Sequence, residues 1–161
     1  RRSSDLAGSP LIEFTKGEFQ TVIPEQDDSL DPQKVERLIV CSGKVYYDLV
    51  KQRADKKIDT AAIVRIEQLY PFPHKAVASI IKSYPNLTEL VWCQDEPQNQ
   101  GAWFFVQHNL LENMGEGMRL GYAGRPASAS PAVGYAHLHQ SQQKALLSAA
   151  FAKLKGFVVT K

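Results

Sequence analysis

Ser42, Gly43 and Lys44 stand between an apolar run and an amphipathic one, and that placement suits an anion. The free N–H groups and dipole at a helix start favour negative charge, and the Lys44 ammonium would add to them. Ser42 can equally be an ordinary helix cap beside a solvated Lys44. The stretch lacks the glycines of a P-loop and of the G-x-G-x-x-G fingerprint. Arg65 is the one charge within AAIVRI, and Glu67 lies two residues on, so both share one face of a strand. An inward Arg requires a carboxylate or a bound anion, which leaves a structural ion pair and a ligand contact both open. His137 and His139 form an H-x-H pair with no Cys, Asp or Glu cluster beside it. A zinc site needs three or four ligands, so no metal site is expected. His74 and His108 are isolated. Ser128 and Ser130 lack a G-x-S-x-G elbow. Nothing assembles a nucleophile, a base and an oxyanion hole, so no catalytic residue is expected.

A second candidate is the polar cluster Gln94, Asp95, Glu96, Gln98, Asn99 and Gln100, which follows the apolar LTELVWC and precedes the aromatic WFF. It is either a solvated loop or a docking surface. Gly101 would permit a sharp entry into the next helix. Trp103, Phe104 and Phe105 supply apolar area for packing or for contact with another subunit.

The elements that must position these residues follow from periodicity. FQTVI (19–23), RLIVC (37–41), AAIVRI (61–66), LTELVWC (87–93) and the weaker MRLGY (118–122) read as strands. RLIVC and AAIVRI are continuous apolar runs, the pattern of strands covered on both faces. Glu25 to Pro32 reads as a solvated acidic turn. Val45, Tyr46, Leu49, Val50 and Arg53 keep helical spacing, with Ser42 as a possible cap. A helix with Pro73 in its first turn buries Val77, Ile80, Ile81 and Tyr84 and stops before Pro85. Trp103, Val106, Leu110 and Met114 share a helical face, which Gly115 and Gly117 end. An irregular loop from Ala123 to Tyr135 precedes a last helix, Leu138 to Leu154, with Gly156 as its cap. Strands alternating with helices predict an α/β fold in three layers, a mostly parallel sheet with helices on both faces. Ligands then meet the loops at the carboxyl ends of the strands. The Ser42 loop, the Glu67–Tyr70 loop and the Gln94–Gly101 loop all lie there.

The totals set outer bounds. The chain has 161 residues, is 43% hydrophobic and carries a net charge of +2. This charge balance predicts no nucleic-acid and no membrane-surface partner. No apolar run approaches the roughly 20 residues that span a bilayer. Cys41 and Cys93 read as buried, reduced thiols of a cytosolic-type protein rather than a disulfide framework. Asn86-Leu87-Thr88 matches the glycosylation pattern by chance. Residues 1–18, beginning with two arginines, read as a linker or disordered lead-in from a preceding domain, and 19–161 as one α/β domain.

CSGKVYYDLV (41–50), RIEQLYPFP (65–73), the polar loop after Cys93 and YAGRPASASPAVGY (122–135) are more specific. Together they resemble the C-terminal domain of the 2-oxoglutarate dehydrogenase component family, in its bacterial form. The resemblance covers about Phe19 to the final helix. It implies a fold like the C-terminal domain of transketolase. It also implies a longer, cytoplasmic thiamine-diphosphate and Mg²⁺ enzyme that oxidatively decarboxylates 2-oxoglutarate and passes succinyl to a lipoyl group. The implied partners are a second copy in a homodimer, the dihydrolipoyl succinyltransferase and the dihydrolipoyl dehydrogenase. The family's cofactor motif, opening Gly-Asp-Gly and closing in an Asn pair, does not occur here, so this chain alone is expected to be inactive and to bind no cofactor. The resemblance further implies a dimer-interface role and an effector, AMP or acetyl-CoA, with Ser42, Gly43, Lys44, Arg65 and Arg125 as anion contacts. Gln94, Glu96, Asn99, Gln100, Gly101 and Trp103 are the corresponding interface-loop candidates. The related 2-oxoadipate dehydrogenase, a stand-alone nucleotide- or CoA-binding module and a purely structural domain are the alternatives.

Overall fold

Strand β2 (Arg37–Cys41) and strand β3 (Ala61–Ile66) are the two continuous apolar runs, and they pair in parallel at the centre of the molecule. The computed structural model describes residue 15, residues 17–154 and residues 158–160. The remaining elements are β1 (Val22–Ile23), a 3-10 turn (Pro32–Lys34), α1 (Val45–Lys56), α2 (His74–Lys82), β4 (Glu89–Pro97), α3 (Trp103–Asn113), β5 (Arg119–Arg125), α4 (Ala136–Phe151) and β6 (Val158–Thr160). The sheet order is β1-β3-β2-β4-β5-β6. The inner four strands are parallel and both edge strands are antiparallel to their neighbours.

Alternation along the strands creates two cores. Leu38, Val40, Val64, Leu90 and Trp92 point to one face, where α2 and α3 cover them with Val77, Ile81, Trp103, Val106 and Leu110. Ile39, Cys41, Ile63, Val91 and Cys93 point to the other, under Val45 and Leu49 of α1 and Leu146 and Ala150 of α4. Both faces are apolar over the middle of the inner strands, and the charged Arg37, Arg65, Glu89, Arg119 and Arg125 stand at or near the strand ends. The expected three-layer α/β arrangement is the one observed. The chain steps outward from β2 to β3, then returns across β2 to β4. The order therefore reverses between β2 and β4, and the loops leaving those strands flank the switch point.

Local boundaries differ from expectation for identifiable reasons. β4 continues past Cys93 to Pro97, and β5 to Arg125, because the ladder resumes after a register shift with Pro97 opposite Arg125. Backbone pairing is indifferent to side-chain polarity, so the polar cluster hid the strand. Only Val22 and Ile23 of FQTVI pair, against β3. Ser42 does not cap α1: Lys44 holds that position, with no side-chain cap bond. Pro73 precedes α2 as its cap rather than sitting inside its first turn. α3 ends at Asn113 with Met114 extended, and Gly117 serves the following turn at φ 77°. α4 starts before Leu138 and ends at Phe151. The acidic turn is not simply solvated, since the Glu25 carboxylate turns inward to Arg53 and accepts the Ile63 N–H at 2.8 Å. Most of the expected lead-in over residues 1–18, and Gly156, lie outside the described residues.

Candidate functional site

Gln94 organises the end of β4. Its side chain is buried at 2% exposure. Its Oε1 accepts from Trp92 Nε1 at 2.8 Å and from the Trp103 N–H at 3.0 Å. Its Nε2 donates to the carbonyls of Glu96 at 3.2 Å and Pro97 at 3.0 Å. One amide thus joins the sheet, the loop and the first turn of α3. Gly101 is essential to this. A Cβ there would lie 2.5 Å from Gln94 Cδ and 2.6 Å from its Oε1. The glycine at this sharp entry to α3 is needed for the close approach of the Gln94 amide.

The same loop is tied to the long loop after β5. Asn99 Nδ2 and Gln100 Nε2 donate to the Ser128 carbonyl at 3.0 and 2.6 Å, and the Ser128 N–H returns a bond to Asn99 Oδ1 at 2.9 Å. Arg125 is the second tie. It is 7% exposed. It donates through Nε to the Asp95 carbonyl at 2.7 Å and through its terminal nitrogens to Gln142 and Gln143 at 2.8 Å each. Its Nη2 also stands 3.4 Å from His139 Nδ1.

Two clefts result. A cleft of about 530 Å³ lies at the switch point, with Ser42 and Gly43 on one side, Trp92 and Gln94 below and Tyr70, Glu96, Gln100, Gly101 and Phe105 around it. The second, about 180 Å³, is lined by Lys44, Asp95, Glu96, Arg125 and His139 among others. Lys44 is 73% exposed along its side chain and pairs with Asp95 Oδ2 at 3.2 Å. Ser42, Gly43 and the Gln94–Gly101 loop are therefore brought together, and Lys44 with Arg125 next to them.

Arg65 is placed elsewhere, lining neither cleft. Its guanidinium carbon lies 4.8 Å from the Tyr46 ring centroid and 5.4 Å from that of Tyr47. It donates to the Tyr47 hydroxyl at 3.1 Å, and its Nε sits 2.6 Å from Glu67 Oε1 without hydrogen-bond alignment. Trp103 and Gln94, taken from sequence as interface residues, are buried and cannot present themselves to another subunit. The helix phase turns Trp103 inward onto Tyr122, and leaves Phe104 and Phe105 outside. Burial pushes the Tyr122 hydroxyl well above the ordinary phenol range. Tyr70 was passed over as a site residue, yet its ring is 82% exposed against Phe105, with ring centroids 6.4 Å apart. A large aromatic just before Pro71 in a strand-end loop was the available signal. His137 and His139 gather no ligands, and among the described residues no three His, Cys, Asp or Glu side chains are placed to hold a metal ion.

Comparison with known proteins places this arrangement. The model of the family described as 2-oxoglutarate dehydrogenase C-terminal matches residues 8–151. A Cupriavidus necator protein named 2-oxoglutarate dehydrogenase E1 component is 67% identical over 96% of this chain and 16% of its own length. Proteins of the same name from Haemophilus influenzae and Azotobacter vinelandii are 56% and 52% identical over 88% and 89% of the chain, and 15% of their own lengths. The chain thus spans about a sixth of the length of these relatives.

Proposed function

The chain belongs to the 2-oxoglutarate dehydrogenase C-terminal family, and from that premise we propose that it serves as the C-terminal domain of a cytoplasmic, thiamine-diphosphate-dependent 2-oxoglutarate dehydrogenase E1 component. The observation that carries this reading is the 67% identity to such a component over nearly the whole chain. The complete protein would decarboxylate 2-oxoglutarate and pass succinyl to a lipoyl group of the dihydrolipoyl succinyltransferase, with the dihydrolipoyl dehydrogenase completing the complex. The names of the three relatives favour 2-oxoglutarate over 2-oxoadipate.

Thiamine diphosphate is held through Mg²⁺, which requires several oxygen ligands. The family's Gly-Asp-Gly to Asn-Asn cofactor motif does not occur in this sequence, so in this reading other parts of the complete protein hold the cofactor, and no chemical step is assigned to the described residues. Their task in this reading is architectural and regulatory. The outward Phe104 and Phe105 provide apolar area to the second subunit of a homodimer. The α1 start at Ser42, Gly43 and Lys44 takes the phosphate of AMP or acetyl-CoA, with Arg125 close behind. Arg65 and Arg125 are the weaker members of the set, because Glu67 and two tyrosines already engage the first, and Asp95, Gln142 and Gln143 the second.

Two experiments test this. A chimera carrying the residues of this chain in place of the corresponding part of the Cupriavidus necator protein should keep 2-oxoglutarate dehydrogenase activity; a folded but inactive chimera would overturn the assignment. Calorimetric titration of the chain with AMP, acetyl-CoA and thiamine diphosphate should show effector binding weakened by Lys44→Ala. Absence of effector binding in both the chain and the chimera would remove the regulatory part.

A further inference from the structure

The switch-point cleft carries a charge opposite to the one an anion needs. Glu96 stands on its rim, and its carboxylate has no hydrogen-bond or ion-pair partner among the described residues. The nearby Lys44 does not neutralise it, being engaged by Asp95 at 3.2 Å in the adjoining cleft. The exposed rings of Tyr70 and Phe105, set edge to face with centroids 6.4 Å apart, line the same cleft as Glu96, together with Trp92, Ser42 and Gln100. Aromatic faces attract cations, and a carboxylate beside them adds a charge-assisted hydrogen bond. A phosphate in the same space would meet Glu96 as a like charge.

Geometry selects among cations. A compact ammonium can satisfy a carboxylate but gains little from flat walls. A guanidinium is planar, stacks on a ring with one face and offers its N–H fork to a carboxylate along its edge. The cleft is open to solvent at about 530 Å³ and is lined partly by Leu69 and Ala102, so there is room for the aliphatic stem and its flanking residues. We propose that the switch-point cleft docks an arginine side chain presented by a partner polypeptide, stacked on Tyr70 and Phe105 and bound through its fork to Glu96. This goes beyond the effector reading: its binding contacts are Glu96, Tyr70 and Phe105, whereas the effector's phosphate is assigned to the Ser42–Lys44 backbone and ammonium, and only Ser42 and Gly43 border both.

The test is an amide-resolved NMR titration of the 161-residue chain with acetyl-Gly-Arg-Gly-amide. The control is the same peptide carrying citrulline, which keeps the shape and loses the charge. The arginine peptide should shift the amides of Tyr70, Glu96 and Gly101 saturably, and the citrulline peptide should bind at least about tenfold more weakly. Glu96→Gln should weaken the arginine peptide by about tenfold and Tyr70→Leu by about threefold. Both positions are exposed, and the spectra themselves report that the variants fold. Added salt should weaken binding in step. Equal binding of the citrulline peptide, or no effect of Glu96→Gln, would overturn the proposal. A repeat with AMP separates the two readings: AMP bound at the α1 start while the arginine peptide leaves the cleft unperturbed overturns arginine docking alone, whereas arginine binding without AMP supports it and leaves the effector reading unsupported.

Discussion

Replacing Gly101 by Ala places one methyl group where the Gln94 amide now sits, 2.5 Å from Cδ and 2.6 Å from Oε1. Real side chains do not approach so closely, so Gln94 must leave. Its four hydrogen bonds go with it, and the Trp92 Nε1–H and Trp103 N–H remain in a buried site. Each stranded buried donor costs about 1–3 kcal/mol. Partial relaxation of the loop recovers some of this, so we expect Gly101→Ala to destabilise the chain by about 3 kcal/mol. Gln94→Ala strands the same donors and opens a small cavity, for a loss of about 2–4 kcal/mol. The two changes occupy the same space, so the double variant should be little worse than Gln94→Ala alone, with a coupling of about 2–3 kcal/mol. Urea unfolding at equilibrium, followed by tryptophan fluorescence, measures all three, because Trp92 and Trp103 both contact this amide. Gly43→Ala is the internal control. It sits at φ 73° with nothing within 4 Å of its would-be Cβ, so only backbone strain of about 1–2 kcal/mol is at stake. Additive losses for Gln94 and Gly101, or a Gly101→Ala loss below that of Gly43→Ala, would refute the reasoning.

Glu89 lies in a row across the amino ends of β2, β4 and β5, paired with Arg37 and Arg119. Glu89→Gln leaves two guanidiniums without their carboxylate and should lower stability by about 3–5 kcal/mol in urea titrations. Trp103→Ala should cost about 3–5 kcal/mol, whereas Phe104→Ala should change the melting transition little and alter only the association state seen by sedimentation. Burial raises the pKa of both Cys41 and Cys93, which face each other across β2 and β4. The unfolded chain therefore releases these protons first, and the stability they protect is complete below the ordinary thiol pKa of 9.0 and falls as pH rises beyond it. Unfolding measured from pH 8 upward should show that slope, and Cys41→Ala with Cys93→Ala should flatten it. A disulfide-exchange reagent should reach neither thiol until the chain unfolds, since both are buried.

Local pattern was enough to determine much of this protein. RLIVC and AAIVRI mark strands with the observed ends, because each is apolar through its middle and is bounded by polar residues, Glu36 and Ser42 for the first and Thr60 and Glu67 for the second. The order of strands and helices, and hence the parallel core, follows from the same periodicities. Four short motifs together point to the family that the comparisons establish. The Ser42 and Gln94–Gly101 loops were legible as neighbours at the carboxyl edge of the sheet, since the order of strands and helices places them there.

What only the tertiary structure decided are relations between residues far apart in the chain. Glu25 reads as part of a solvated turn until Arg53 and the Ile63 N–H meet it. Gln94 reads as one more polar loop residue until Trp92, Gly101 and Trp103 close around it. Arg125 reads as an anion contact in a long loop until Asp95, Gln142 and Gln143 take its donors. Periodicity constrains each element's apolar face. A buried polar group is instead fixed by hydrogen-bond partners that distant segments bring to it, and the folded chain alone places those segments side by side.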